Sequence, residues 1–185
     1  LTGIDLPLVK AAFARHNTDL TLGRTTHSEV WGELCEELGR RIDLALLEEA
    51  FESTPMNEEM IKLAQRLRSS YVVGIITDNK KDRIEYLRRR HNLDALFHSV
   101  TVSADVGSDK GGQDIFLAAL HSAGVEPADA VFIDNNHDNL FVPKSLGMRT
   151  CFHDDEVNDV CLLVRALQDV GVAIGVTCPP GSVPN

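Results

Sequence analysis

The sequence predicts an α/β fold, a doubly wound parallel sheet that carries a small helical cap domain. Residues 1–69 place apolar side chains at helical spacing and contain no convincing strand, whereas short β-rich runs alternate with helical segments from Tyr71 onward. The apolar run that ends in Asp134 has no polar alternation, which is typical of a strand covered on both faces. Strands that alternate with helices in this order predict a parallel sheet between helical layers.

Composition and charge indicate an ordinary soluble globular protein. The chain has 185 residues, of which 43% are hydrophobic and 25% charged, so it can form a substantial core. A formal charge of -10 argues against a nucleic-acid partner, which requires clustered Lys and Arg. We expect no membrane partner and a cytoplasmic location, because no apolar run approaches the roughly 20 residues of a membrane span and no export signal is visible. The oligomeric state stays open between monomer and homodimer.

The chain divides into three predicted parts. Residues 1–69 form the helical cap region and a following linker helix, residues 70–170 form the α/β core, and residues 171–185 form a C-terminal tail. In the first part, Thr26 or Ser28 is a candidate cap of the second helix, and Asn57 caps the fourth. Asp5 precedes a helical run, which favours an N-cap role for it.

The core is predicted to contain four strands, each followed by a helix or loop. A basic helix follows the first strand, a glycine-rich loop over 105–112 follows the second, and Gly124 closes the next helix. Pro143 is expected to kink the helix after the third strand. The predicted strands are 72–77, 97–102, 131–134 and 148–152, and the predicted helices after the last two strands are 138–146 and 156–168.

Three polar groups stand at the ends of predicted strands or in the loop that follows one. They are Thr77 with Asp78, Lys110 after its glycine-rich loop, and Asp134 with Asp138. Open α/β sheets bind ligands at the carboxyl ends of their strands, so we expect these groups to converge. A hydroxyl, an ammonium and carboxylates are suited to magnesium-dependent phosphoryl transfer. Taken alone, each acid is also explained as a turn residue or a helix cap.

These residues resemble the motifs of the haloacid dehalogenase superfamily, in the subfamily with a small helical cap. Residues 76–79 are similar to its second motif, which implies that Thr77 hydrogen-bonds the transferring phosphoryl group and that Asp78 lies at the phosphate site. Residues 107–110 are similar to the third motif, which assigns the catalytic lysine to Lys110. Residues 132–139 are similar to the fourth motif, which implies that Asp134 binds Mg²⁺.

The resemblance leaves two points open. Asn135 stands where many relatives have a second acid, so the second metal contact comes from Asp138, from Asn135 or through water. Arg24 and His27 lie where relatives place substrate-facing cap residues, although a polar linker between helices explains them equally well.

The motif that supplies the nucleophilic aspartate is absent, and residues 1–5 resemble the segment that follows it. We therefore expect the nucleophile upstream of Leu1. The resemblance implies a magnesium-dependent phosphatase that acts on a small phosphorylated metabolite through an aspartyl-phosphate. The alternatives are a non-catalytic binding or scaffold protein of the same fold and a hydrolase of the 2-haloacid dehalogenase type.

Overall fold

A computed structural model describes residues 3–175, which form four helices followed by an α/β region. The first four helices confirm the prediction that residues up to 69 are helical without a strand. They are α1 (Leu6–Thr21), α2 (His27–Glu37), α3 (Ala45–Glu52) and α4 (Glu58–Leu67). Residues 176–185 of the predicted C-terminal tail lie outside the described residues.

The N-termini of these helices follow their local sequence. Thr26 caps α2 in a reciprocal arrangement, in which its side chain accepts from the backbone N–H of Glu29 and the Glu29 carboxylate accepts from the backbone N–H of Thr26. Asn57 caps α4 through the backbone N–H of Met60, as predicted. Asp5 occupies the N-cap position of α1, but its side chain makes no capping hydrogen bond.

The α/β region has the predicted alternating order with shorter elements. Its strands are β1 (Gly74–Thr77), β2 (Ser99–Val102), β3 (Val131–Asp134) and β4 (Arg149–Phe152). Its helices are α5 (Lys81–His91), α6 (Leu93–Leu96), α7 (Ser103–Val106), α8 (Asp114–Ala123), α9 (Phe141–Ser145) and α10 (Val160–Asp169), with 3₁₀ turns at Pro127–Asp129 and His137–Leu140. The predicted helices over 138–146 and 156–168 are wrong at their starts. A 3₁₀ turn precedes α9, and the Asp159 side chain caps α10.

The strands pair in parallel as predicted, and within the described residues they form two separate pairs. β1 pairs with β2, and β3 pairs with β4, which gives two separate two-stranded sheets. Each of β1 and β3 therefore has strand pairing on one edge alone within residues 3–175. No described segment supplies backbone hydrogen-bonding partners to the second edge of β1 or to the second edge of β3.

Helix α8 joins the two sheets through an apolar cluster. Ile115 and Phe116 on α8 are fully buried, and the Phe116 ring meets the ring of Phe132 on β3 edge-on at 5.1 Å between centroids. Ile76 of β1 packs against the same cluster. One helix thus holds the ends of β1 and β3 on a common side, where the predicted site residues lie.

A second cluster joins α4 and the last described residues to the α/β core. Leu63 of α4 packs with Cys151 of β4 and Leu163 of α10. Val172 and Ile174, from the predicted tail, pack on the same cluster. The fourth helix and the first residues after α10 are therefore packed parts of the α/β region.

Candidate active site

Asp134 is a buried carboxylate whose two oxygens are both hydrogen-bonded. It ends β3 with its side chain 4% exposed. Its Oδ1 atom accepts from the backbone N–H of Asn136 at 2.9 Å and from Nδ2 of Asn139 at 3.0 Å. Its Oδ2 atom lies 2.7 Å from the Lys110 Nζ. A buried charge needs such partners, so this carboxylate is held in one orientation by its surroundings.

Lys110 reaches Asp134 from the predicted glycine-rich loop. The loop begins at Gly107, whose φ of 77° is left-handed and ends the short helix α7. A Cβ atom at Gly112 would lie 2.5 Å from the Ser108 hydroxyl, so a larger residue there would require the Ser108 side chain to rotate. The Lys110 side chain is 15% exposed, and its Nζ lies 5.9 Å from the centroid of the Phe132 ring. The ammonium is therefore a fixed positive charge beside the end of β3.

The end of β1 meets the same loop through Asp78. The Asp78 Oδ1 accepts from the backbone N–H of Lys110 at 3.0 Å. Burial raises the pKa of Asp78, against the opposing effect of the Lys110 backbone hydrogen bond and charge, and the nearby Asp109 and Asp134 raise it further. The Asp78 Oδ1 atom therefore anchors the loop that carries Lys110, and a negative charge on this carboxyl would repel phosphate. The Thr77 hydroxyl, half-buried beside it, has no hydrogen-bond partner among residues 3–175.

The remaining predicted metal ligands are exposed. Asp138 and Asn135 both face solvent, and their side chains have no hydrogen-bond partner within the described part of the chain. No group of three His, Cys, Asp or Glu side chains among residues 3–175 is arranged to hold a metal ion. The donors present are all oxygens, which suits Mg²⁺, and Asp134 with Asp138 or Asn135 supplies part of the set that such an ion needs.

The two predicted cap residues lie in different environments. Arg24 is exposed and forms an ion pair with Asp19 at 3.0 Å. His27 is 3% exposed, and its Nδ1 lies 2.7 and 2.8 Å from the two carboxylate oxygens of Asp82. The structure therefore engages the His27 imidazole with α5 and does not bring it together with Lys110 and Asp134.

Several residues position the site through hydrogen bonds that the sequence did not predict. Asn79 is buried directly after the end of β1, and its backbone N–H donates to the hydroxyl of Ser103, which is fully buried. Ser103 in turn donates to the backbone carbonyl of Thr21 in the helical region at 2.7 Å. Asn136 and Asn139 are the other omissions, and their positions two and five residues after Asp134 were the available signal.

A cavity of about 610 Å³ lies away from these groups. It is lined by residues 66–70 before β1 and by residues 173–175 after α10, which include Arg66 and Ile174. Because these segments flank the amino-terminal end of β1, the cavity is not part of the site at the carboxyl ends of the strands.

Comparison with known proteins adds family information to this geometry. Residues 14–152 match the family model described as haloacid dehalogenase-like hydrolase. The chain is 29% identical over 159 residues to drimenol cyclase drtB of Aspergillus calidoustus, covering 74% of this chain and 30% of that protein. It is 24% identical over 83 residues to pyrophosphatase PpaX of Bacillus velezensis, covering 45% of this chain and 38% of that protein. The chain thus spans about a third of the length of these curated relatives.

Solved structures share the fold at low identity. A HAD family enzyme from Bacteroides thetaiotaomicron, solved as a magnesium complex, has a TM-score of 0.71 at 20% identity and covers 88% of this chain and 91% of its own. L-2-haloacid dehalogenase from Xanthobacter autotrophicus was solved with chloropropionic acid covalently bound. It has a TM-score of 0.58 at 18% identity, and the match covers 90% of this chain and 70% of that chain. These likenesses confirm the predicted HAD-like α/β fold.

Proposed function

Because the chain belongs to the haloacid dehalogenase-like hydrolase family, we propose that it is the cap and core of a magnesium-dependent phosphatase. Its substrate is a small phosphorylated metabolite. The observation that carries the proposal is the contact of the Lys110 ammonium with the buried Asp134 carboxylate. The Lys110 backbone joins this pair to Asp78 beside Thr77. This arrangement places a fixed cation, a fixed carboxylate and a free hydroxyl at the ends of two strands, where a phosphoryl group would be bound.

Each residue has a defined role in the proposed reaction. The Thr77 hydroxyl donates a hydrogen bond to a phosphoryl oxygen, and the Lys110 ammonium offsets the charge that develops on the phosphoryl group. Asp134, with Asp138 or Asn135, would hold Mg²⁺, which when bound neutralises phosphoryl charge. Asp78 fixes the loop that carries Lys110.

An aspartate upstream of Leu1 completes this proposal. Its carboxylate attacks phosphorus and displaces the alcohol of the substrate, and water then cleaves the aspartyl-phosphate to release phosphate and regenerate the carboxylate. The strand pairing supports this arrangement, since β1 and β3 each pair on one edge alone within the described residues. A strand that pairs with either edge would end beside Thr77 or Asp134. The relatives support the chemistry, because one is named a pyrophosphatase and the Bacteroides enzyme was solved with magnesium and inorganic phosphate.

The test compares residues 1–185 with a version extended upstream through the aspartate-bearing strand. We expect the extended protein to hydrolyse an aryl phosphate or pyrophosphate with Mg²⁺ and to stop when the metal is chelated, whereas residues 1–185 alone are inactive. Two variants of the extended protein sharpen the result. Lys110→Ala should lower turnover about 100-fold or more, while Lys144→Ala, which alters an exposed lysine, should not. Full activity of residues 1–185 would contradict the placement of the nucleophile.

Two other functions remain as outcomes of the same assay. Chloride release from 2-chloropropionate without phosphate release would favour a dehalogenase, which is the chemistry named for the Xanthobacter neighbour. Absence of both activities in the extended protein would favour a non-catalytic binding protein.

A further inference from the structure

A part-buried hydrogen-bonded pair, His27 and Asp82, joins the helical region to the core at α5. His27 is the first residue of α2, and the reciprocal capping of Thr26 and Glu29 fixes the turn that presents it. Its imidazole lies within 2.8 Å of both oxygens of Asp82, which is in the first turn of α5 and 55 residues away in sequence. The His27–Asp82 pair is therefore a tertiary contact between two helix N-termini.

Aromatic rings enclose the imidazole side of this pair. The rings of Phe13 on α1 and Phe51 on α3 each lie 6.0 Å from the His27 ring, and Phe51 also contacts Tyr86 of α5. Apolar surroundings strengthen a hydrogen bond that is made and raise the cost of one that is lost. The pair is thus placed to set how α1, α2 and α3 sit on α5.

The residue after Asp82, Arg83, connects α5 to the segment that follows β1. Its side chain donates to the Asn79 Oδ1 at 3.2 Å and to the Thr54 hydroxyl at 3.0 Å. Asn79 is held in turn by Ser103, which bonds the end of α1 at Thr21. The segment that follows Thr77 is therefore tied to the helical region at two places, through the His27–Asp82 pair with Arg83 and through Ser103.

Burial raises the pKa of Asp82, but the hydrogen bond and charge of His27 outweigh it, so the net direction is down. The charged groups that face this carboxyl are His27 from α2 and Lys80 just before α5. The carboxyl also accepts from the backbone N–H of Arg83, while α3 faces the imidazole with Phe51. The carboxylate is thus stabilised in the ionised form that His27 contacts.

We propose that His27 and Asp82 are positioning residues that hold the Thr77–Lys80 segment in place by docking the helical region onto α5. This role deepens the proposed phosphatase function and assigns His27 a contact with the protein in place of the substrate. The pair acts on the site through Arg83 and Asn79, without touching the phosphoryl group.

Amide hydrogen exchange tests the proposal without catalysis, so its outcome is independent of whether the protein is a phosphatase. The reporter is the backbone amide of Asn79, which donates to Ser103 and is remote from His27 in sequence. His27→Gln and Asp82→Asn should each raise its exchange rate about 10-fold or more, since each removes a hydrogen bond between the imidazole and a charged carboxylate. The double variant should exchange no faster than the single ones, because both remove one interaction.

Two controls alter the same residue types at the surface. Asp94→Asn removes a carboxylate that is 62% exposed and pairs with Arg88, and His121→Gln alters an exposed residue on α8. Neither should change the Asn79 amide. Faster exchange in α2 and α5 with an unchanged exchange rate of the Asn79 amide would overturn the proposal. The pair would then stabilise α2 and α5 without affecting the segment after Thr77. An unchanged exchange rate everywhere would overturn it as well.

A measurement on the parent protein covers the case in which a variant fails to fold. After correction for intrinsic rates, protection of the Asn79 amide should fall as the pH is lowered through the depressed pKa of Asp82. Protection that stays constant until global unfolding would overturn the proposal.

Discussion

The ends of β3 and β1 are built in different ways. At the end of β3, Asp134 is bound by Asn136 and Asn139 from the next turn of the chain and by Lys110 across the site. At the end of β1, Thr77 has no side-chain partner among residues 3–175, and the following Asn79 is held by Ser103, which is 24 residues away.

The Asp134 carboxylate is thus preorganised by the protein, whereas the Thr77 hydroxyl is available to bind a ligand. The Asp134 carboxylate has both of its oxygens engaged, so its function depends on partners that already exist in the protein. The Thr77 hydroxyl has unused hydrogen-bonding capacity, which is what a ligand-binding group requires. Substitution should therefore affect stability strongly at Asp134 and weakly at Thr77, although both should affect activity.

The largest effect is expected for Asp134→Asn. An amide at this position turns an N–H toward the Lys110 ammonium or toward Asn139, so a buried charge or donor loses its acceptor. We expect the free energy of unfolding to fall by about 3 kcal/mol and phosphatase turnover of the extended protein to fall about 100-fold or more. Chemical denaturation and the phosphate-release assay measure the two quantities.

Asp138→Asn is the matched control for stability. Asp138 is exposed with no side-chain partner among residues 3–175, so its substitution should change the free energy of unfolding by less than about 0.5 kcal/mol. Calorimetric titration with Mg²⁺ then shows whether Asp138 contributes to metal binding. Equal stability losses in the two variants would contradict the preorganised character of Asp134.

The sequence predicted those parts of the fold and site that depend on local pattern. The span of β3, the caps at Thr26 and Asn57, and the convergence of Lys110 with Asp134 all follow from runs, spacings and strand ends. The strand order within each pair could not be predicted in this way, since it depends on which segments pair in space.

The same limit applies to the contacts made over long distances in sequence. His27 and Asp82 are 55 residues apart, and Ser103 and Thr21 are 82 apart, so no local pattern connects them. The family resemblance offers His27 as a substrate-facing residue, and a polar linker between helices is the alternative explanation. In the structure the partner of His27 is Asp82 of α5.

A smaller effect, on activity alone, is expected for Thr77→Val. Valine keeps the shape and the strand preference of threonine, and no described hydrogen bond is lost, so stability should change by less than about 0.5 kcal/mol. Turnover of the extended protein should fall about 10-fold if the hydroxyl donates to the phosphoryl group. Thr101→Val on the neighbouring strand β2 is the control and should leave turnover unchanged. Unchanged turnover in Thr77→Val would remove Thr77 from the site.

The smallest effect is expected for Asp78→Asn, which should change the free energy of unfolding by an amount that depends on pH. Burial raises the pKa of this carboxyl in the folded protein, so the ionised form destabilises the fold. The penalty is absent below the unfolded pKa of about 3.9, grows as the pH rises through the raised folded pKa, and is complete above it. Asp78→Asn removes the charge while its Oδ1 still accepts from the Lys110 backbone N–H.

We therefore expect Asp78→Asn to be more stable than the parent at pH 7 by about 0.5 kcal/mol, a small value because solvent reaches the side chain. The difference should vanish near pH 3, where the parent carboxyl is protonated in both states. Asp155→Asn, at an exposed acid, controls for the loss of one negative charge from a chain of formal charge -10. Thermal unfolding of the three proteins between pH 3 and 8 measures this. A destabilised Asp78→Asn at pH 7 would mean that the negative charge itself holds the Lys110 loop, and the end of β1 would then be preorganised in the same way as the end of β3.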